Sequence, residues 1–535
     1  MNLNLCTDSW LKFRLASGEV VALPLKELGR EDLLDVVLPR QDFYGAGWQF
    51  LIGILQTVFA LADEEEWLDW YESPPSPEVL AAALSKVEHA FELFGDGPCF
   101  MQDWEPLEDG TYVDISSLLI DAPGGNTLKL NTDHFIKRGQ VNTLSPAMAA
   151  MALFTLQINA PAGGQGHRTG LRGGGPLTTL VVSNDSSLSL FRRLWLNIAP
   201  IDCDLPRVVK YDESIFPWLA PTRTSKEKGT EVYLNDESVH PLQQYWAMPR
   251  RIRLELAEAG SCDLTHEHAG ITVTGYRTKN YGANYGGTWA HPLTPYRFDP
   301  KNPELEHFSS KGQPGGIGYR QWHQFLFENH AEGHLPAKVV ARMATNQELL
   351  EEELEFEDQL SVWVFGFDMD NMKARSWHAA KMPLLSMPVD SIPLFVQEIF
   401  DQVQVANDYR KALRKSCENA WFSDPDKKKK IQRDLGFIDE QFWTETEQDF
   451  YSMIDHLKID IEAGEQKLNA QSCQNWLGML KQHALLLFDA LVLSDASQTE
   501  HIERKLRARR SLEWIKLNKA YLQKHGLDKK GVINV

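Results

Sequence analysis

The sequence predicts an α+β fold: a large mixed domain with loop-rich sheets over residues 1–388, followed by a C-terminal four-helix bundle over 389–535. Three observations carry this reading. A chain of 535 residues is too long for one hydrophobic core. Up to about residue 385, strand-like and helix-like apolar segments alternate and are punctuated by glycine and proline. After Pro393, four long segments (roughly 390–421, 426–461, 464–494 and 498–525) keep a helical period with almost no glycine or proline.

In chain order, "SWLKFRL", the turn "ASGE" and "VVALPL" read as a hairpin. An apolar helix follows from about Asp42 to Leu61. "ADEEEWLDWYES" reads as an acidic turn, and a further helix starts at Ser76-Pro77, where serine caps and proline fits the first turn. "GPCFMQD" reads as a turn and short strand. Residues 121–145 form a long polar connection, a length usually either functional or disordered. The small-residue helix "PAMAAMALFTLQIN" leads through a glycine-rich loop into the strand "LTTLVVS". "QLSVWVFGF" is a buried strand entering a hairpin whose tip falls near Met369–Lys373.

Composition excludes several classes. Hydrophobic residues at 43% and charged residues at 24% are those of an ordinary globular protein. A net charge of −20 counts against a free-standing, nonspecific nucleic-acid binder but leaves room for a local basic site. The six cysteines are widely spaced with no CxxC pair, which predicts reduced, mostly buried thiols and a cytoplasmic location. The N-terminus has no apolar h-region. The longest apolar run, near "FLIGILQTVFALA", is too short to span a bilayer, so no membrane partner is expected.

The glycine loop is the most informative stretch. Seven of the fifteen residues from Pro161 to Gly175 are glycine, and no Asp or Glu occurs from His134 to Asn184. The same window holds Lys137, Arg138, Arg168 and Arg172. A dinucleotide loop follows a strand and opens a helix, whereas this one follows a helix and opens a strand, and it lacks the Gly-Lys-Ser/Thr of a phosphate-binding P-loop. An acid-free loop without Cβ atoms can bring its amides and carbonyls close to a phosphate backbone, with Arg168 and Arg172 as phosphate-contact candidates. A tight connector with incidental arginines is the competing reading.

Other constellations are weaker. Asp368-Met369-Asp370 is a DxD that could hold a divalent metal in a stand-alone transferase, or simply be a polar turn. Cys262, His266 and His268 lack a fourth ligand at zinc-site spacing. No nucleophile–base motif is present, so no catalytic residue and no cofactor are expected, and His291 in "WAHPLTPY" reads as a satisfier of backbone groups. In "HIERKLRARRSLEWIK", Arg504, Lys505 and Arg507 form a basic helix face that suits an acidic partner, nucleic acid or plain solvent.

In one order, "NLCTDSW", "CFMQD", "APAGGQGHRTGLRGGGPLTTLV", "GYRTKNYGANYGGTWAHPLTPY", "FGFDMDNMKARSW" and the terminal bundle resemble the CasA family, the large subunit of the type I-E CRISPR surveillance complex Cascade. The resemblance spans essentially the whole chain. It implies a non-enzymatic subunit that reads the protospacer-adjacent motif from the minor groove, helps open the duplex for the guide RNA and recruits a helicase-nuclease. It places motif reading on Gly164, Gln165 and Gly166, with Lys279 and its neighbour Arg277 on "GYRTKNY". It places a strand-splitting wedge on Asn371, Met372 and Lys373. The 121–138 loop, with Asn126 and Lys129, is implied to dock near the 5′ end of the guide RNA, and the bundle to lie along the small subunits and target DNA. Other members can carry glycine where Gln165 stands and glutamine where Met372 stands. Some carry CxxC pairs, absent here, so no structural zinc is expected.

Overall fold

The computed structural model describes residues 3–59, 61, 63–123, 139–164, 166–200, 208, 210–346, 360–370, 373–422, 435–494 and 501–533. The fold is α+β, with small antiparallel sheets in the first part of the chain and helices at its end. Two compact units form. The first takes the chain up to Gly312, His330–Met343 and the later β-hairpin; the second takes Gln313–Asn329 and the helices after Ser386.

In the first unit, Leu11–Leu15 and Val20–Leu23 make the expected hairpin, and a third strand, Leu33–Val37, pairs with the free side of Leu11–Leu15. The apolar helix is Gln41–Val58, buried around nearly its whole circumference. Phe50 on that helix gathers Trp10, Phe91, Phe100, Phe154 and Trp246, with ring centroids 5.5–6.1 Å away and edges turned to faces. Two of the sixteen tryptophans belong to this cluster.

The stretch read as an acidic turn is a helix, Glu64–Glu72. Asp63 caps it by accepting from the Glu66 amide at 3.0 Å, and three glutamates complement the positive helix start. Trp67 and Tyr71, four apart, stack at 5.4 Å and bury its inner face. "GPCFMQD" makes no strand: Met101 takes a left-handed φ of 50°, and the Gln102 side chain donates to the Leu93 carbonyl at 2.7 Å.

Two three-stranded sheets position the candidate residues. In one, Leu360–Asp370 lies between Thr178–Ser183 and Lys373–Pro383, all antiparallel, with a bulge at Asp368/Met369. In the other, Thr272–Lys279 lies between Thr111–Asp114 and Arg251–Ala257.

In the second unit the helices run Ile392–Trp421, Gly436–Glu445, Glu447–Glu462, Ala470–Phe488 and Ile502–Glu513, with a short final helix Lys519–Lys524. The second expected segment is thus broken at Thr446, whose buried hydroxyl donates to the Phe442 carbonyl at 2.7 Å and meets Tyr319 at 2.9 Å. Tyr319 stacks on Phe450 at 4.3 Å, which draws its segment into this unit. Lys524 fastens the last helix by donating to buried Glu398 at 2.6 Å and to Asp401 at 2.7 Å.

Candidate nucleic-acid interface

The helix Pro146–Asn159 begins at the Ser145 cap and ends where the glycine loop turns back on it: the Gly170 amide donates to the Ala160 carbonyl at 3.0 Å. At the loop tip the amides of Gly163 and His167 close a tight turn, onto the carbonyls of His167 (3.3 Å) and Gly164 (3.2 Å). Gly164 and Gly166 hold φ of +89° and +79°, the left-handed region in which a side chain is strained. Gln165, between them, lies outside the described residues.

The two glycines face different surroundings. Among the described residues, a Cβ on Gly164 would meet nothing within 4 Å. One on Gly166 would fall 2.7 Å from Asn280 Cβ and 3.0 Å from the Tyr281 nitrogen. The Tyr281 amide donates to the Gly166 carbonyl at 2.6 Å. The loop tip is therefore tied to the end of the strand Thr272–Lys279. Two stretches over a hundred residues apart in sequence meet there.

Lys279 and Arg277 are on that strand, and both are held by carboxylates. Lys279 Nζ lies 2.6 Å from Asp109 and 3.5 Å from Glu105, and the hydrogen bond to Asp109 raises the pKa of the ammonium. Arg277 donates to Glu255 at 2.5 Å and to the Glu108 carbonyl at 2.9 Å. A phosphate arriving at either cation must share or displace an acid.

The two loop arginines part company. Arg168 is half-buried and donates to the Ser225 hydroxyl at 2.7 Å and the Ser225 carbonyl at 3.2 Å, strapping that segment beside Gly282. Arg172 corrects the sequence reading. It is buried, donates to Thr178 and Thr294 at 3.0 Å and to Gln49 at 2.8 Å, and cannot reach a phosphate. Burial pushes its pKa down to about 10, and burial together with Arg172 pushes His291 well below the usual imidazole value. Neutral His291 accepts from the Leu293 amide at 3.1 Å, a backbone-satisfying role.

The hairpin approaches the back of the same loop. Lys373 pairs with Asp370 at its tip; Asn371 and Met372 lie outside the described residues, as do Asn126 and Lys129. Met369 packs so closely over Gly175 that a Cβ there would collide with it. Asp368 is buried and accepts from Arg375 at 2.7 Å. That pairing consumes one carboxylate of the DxD, and among the described residues no group of three or more His, Cys, Asp or Glu side chains is placed to hold a metal ion. Cys262 is buried and takes up a turn in which the His266 amide donates back to the Cys262 carbonyl at 2.8 Å.

In the second unit, the basic run is partly structural. Arg504 donates to the carbonyls of Ala420 (3.0 Å) and Trp421 (3.4 Å), closing the end of the long helix, and Lys505 is buried. Arg509 pairs with Asp489 at 2.6 Å, and Arg507 stays exposed beside Glu503.

Sequence reasoning missed Arg250 and Asn280. Arg250 fills the space that a Gly163 side chain would need, and donates to the Pro161 carbonyl. Gln157 grips its backbone on both sides, at 3.0 Å each way. Burial lowers Arg250 to about 10; burial first, and then this neighbouring charge, lower His167. A positive charge thus sits beneath the loop. The available signal was local: Arg250 directly precedes a strand, and Asn280 follows Lys279 where the chain turns.

The sequence model of the CRISPR-associated protein Cse1 matches residues 4–487. The fold is similar to Thermobifida fusca Cse1 (TM-score 0.68, 17% identity, 98% of each chain covered). It is also similar to Thermus thermophilus CasA (0.66, 17%, 95% of this chain and 98% of that one). A chain of a CRISPR RNA-guided surveillance complex matches at 0.65, with 16% identity over 96% of this chain and 99% of that one.

Proposed function

Because the chain belongs to the family of the CRISPR-associated protein Cse1, we propose that it is the large, non-enzymatic subunit of an RNA-guided DNA surveillance complex, and that the glycine loop reads the motif flanking the target. The observation that carries this is the junction of Gly166 with Asn280 and Tyr281, which ties the loop that bears the uncrowded Gly164 to the end of the strand that carries Lys279. The minor groove is only about 6 Å wide and its code is degenerate, so a backbone reader fits where side chains clash. Lys279 and Arg277 exchange carboxylates for phosphates, and Arg168 stays within reach of the same backbone.

The hairpin supplies the second act. Its central strand is paired on both sides, so a load on the tip passes into the sheet. Asn371, Met372 and Lys373 then enter beneath the motif as a wedge; unstacking a step costs a few kcal/mol, after which strand exchange is nearly balanced. Asn126 and Lys129 face the guide RNA, the other complex subunits pack alongside, and target binding draws in a helicase-nuclease. The complex works in the cytoplasm.

The test is selection by the reconstituted complex from duplexes with randomised flanks. Wild type enriches a short motif on one side of the target. If a Gly166→Val complex, shown by gel filtration to be assembled, enriches the same motif as strongly, the loop is a connector and the reading is wrong.

A further inference from the structure

Near the tip of the hairpin lies a pocket of about 320 Å³, lined by Arg40 and the start of the helix Gln41–Val58, by Asp121, by Phe367 and by the first residues of the strand Lys373–Pro383. This volume is at the small end of ligand sites, suited to one compact group and not to a chain. Its wall is aromatic: Phe367 and Trp377 meet edge to face at 4.9 Å. The Trp377 indole N–H is buried with no hydrogen-bond partner among the described residues, an unusual state for a donor that ordinarily finds one.

The rim is polar in both senses. Arg40 spends Nε and one terminal nitrogen on Asp42 and Asp121 (2.8–2.9 Å), which leaves the other terminal nitrogen to donate. Arg375 spends one bond on Asp368 and keeps the rest of its fork. Asp121 is half-exposed with an acceptor to spare, and Gln41 adds an amide able to do both. Aromatic walls with planar donors and acceptors at the rim are the chemistry that holds a base out of its stack.

We propose that this pocket takes one unpaired nucleobase. The inference rests on the nucleic-acid reading above and goes beyond it, since none of the described motif-reading or wedge residues lines the pocket. A base supplied by the displaced DNA strand and one supplied by the 5′ part of the guide RNA share the required chemistry. Occupation would give an opened strand a place to stay and slow its re-pairing.

Photo-cross-linking from 5-iodouracil tests this, because the excited base reacts with an aromatic ring it stacks on. In one arm the free chain is irradiated with a trinucleotide, 5-iodouracil flanked by thymines. In the other, the complex is irradiated with target duplexes and guide RNAs that each carry one 5-iodouracil, while permanganate reports strand opening. The expected result is an adduct mapped by mass spectrometry to Phe367 or Trp377, from a single position in the complex; whether it is in the DNA or the guide identifies the source. Ala374→Trp, which fills the pocket, lowers the yield about tenfold. Should that variant misfold, Arg375→Lys keeps the charge beside Asp368, removes the fork and lowers the yield severalfold. Strand opening without any pocket adduct in either arm overturns the proposal. A pocket adduct from the trinucleotide with no strand opening leaves the pocket standing and sinks the duplex-opening reading instead. Absence of both sinks the two together.

Discussion

Both halves of the glycine loop are rich in glycine, yet Gly164 at the front and the glycines at the back stand in opposite surroundings. In the front half, Gly164 stands in open space and Gly166 touches only the chain turn after Lys279. In the back half, Gly170 lies against the carbonyls of the preceding helix, Gly174 against Pro161, and Gly175 beneath Met369, while Arg172 is sealed below them. Glycine is used once to leave a surface bare and once to let chain segments pack at backbone distance. Glycine density therefore marks close approach without saying whether the approaching body is a ligand or the protein itself.

The largest expected effect breaks the back half. Arg172→Ala strands the side chains of Gln49, Thr178 and Thr294 around a cavity, and stability falls by about 3 kcal/mol. Arg168→Ala, four residues earlier, costs less than half as much. Comparable unfolding midpoints for the two in urea would erase the distinction between the halves. Gly175→Val comes next, at about 2–3 kcal/mol, because Met369 must move and the bulge with it. Met369 amide shifts in the NMR spectrum follow that displacement.

The front half inverts the pattern. Gly164→Ala meets no neighbour and costs only about 1 kcal/mol for its positive φ, yet motif-dependent DNA binding by the complex drops by more than this stability loss can explain. Retention of full motif selectivity in gel-shift titrations would leave the open tip without a role. Lys279→Ala weakens binding to every flanking sequence alike and lowers the salt slope by about one, whereas Asp109→Asn, by freeing Lys279 from its closest carboxylate, strengthens it. A change in base preference with Lys279→Ala would make that lysine a base reader.

The smallest effect is pH-dependent and belongs to the back half. Folded His291 has its pKa pushed well below the ordinary value, by burial and then by Arg172, whereas the unfolded imidazole takes its proton near 6.5. Below that pH the unfolded state binds more protons, so stability falls on acidification and is fully present above it. His291→Asn keeps an acceptor for the Leu293 amide and flattens the slope of unfolding free energy between about pH 6.5 and pH 5. An unchanged slope would show that another buried group carries it.

By itself the sequence determined whatever depends on neighbours along the chain. Helix starts at Ser76-Pro77 and Ser145-Pro146 were legible because capping needs only the next few residues. The strand Leu11–Leu15 and the long terminal helices were legible because one buried face imposes a period, and Thr178–Ser183 and Leu360–Asp370 because burial on both faces leaves a short run rich in apolar and β-branched residues. Family membership was legible because several motifs stand in one order, each uninformative alone.

The acidic helix Glu64–Glu72 was lost because charge masked the Trp67–Tyr71 pair that buries it. The tertiary structure alone decided that Arg172 is a core residue, that Arg250 lies under the loop, that Lys279 is tied to Asp109, and that Gly166 meets Asn280. A charged side chain has the same local signature whether it faces water, a phosphate or a buried amide. The difference lies in which distant segment folds over it, and chain-local patterns of propensity and spacing carry no term for that.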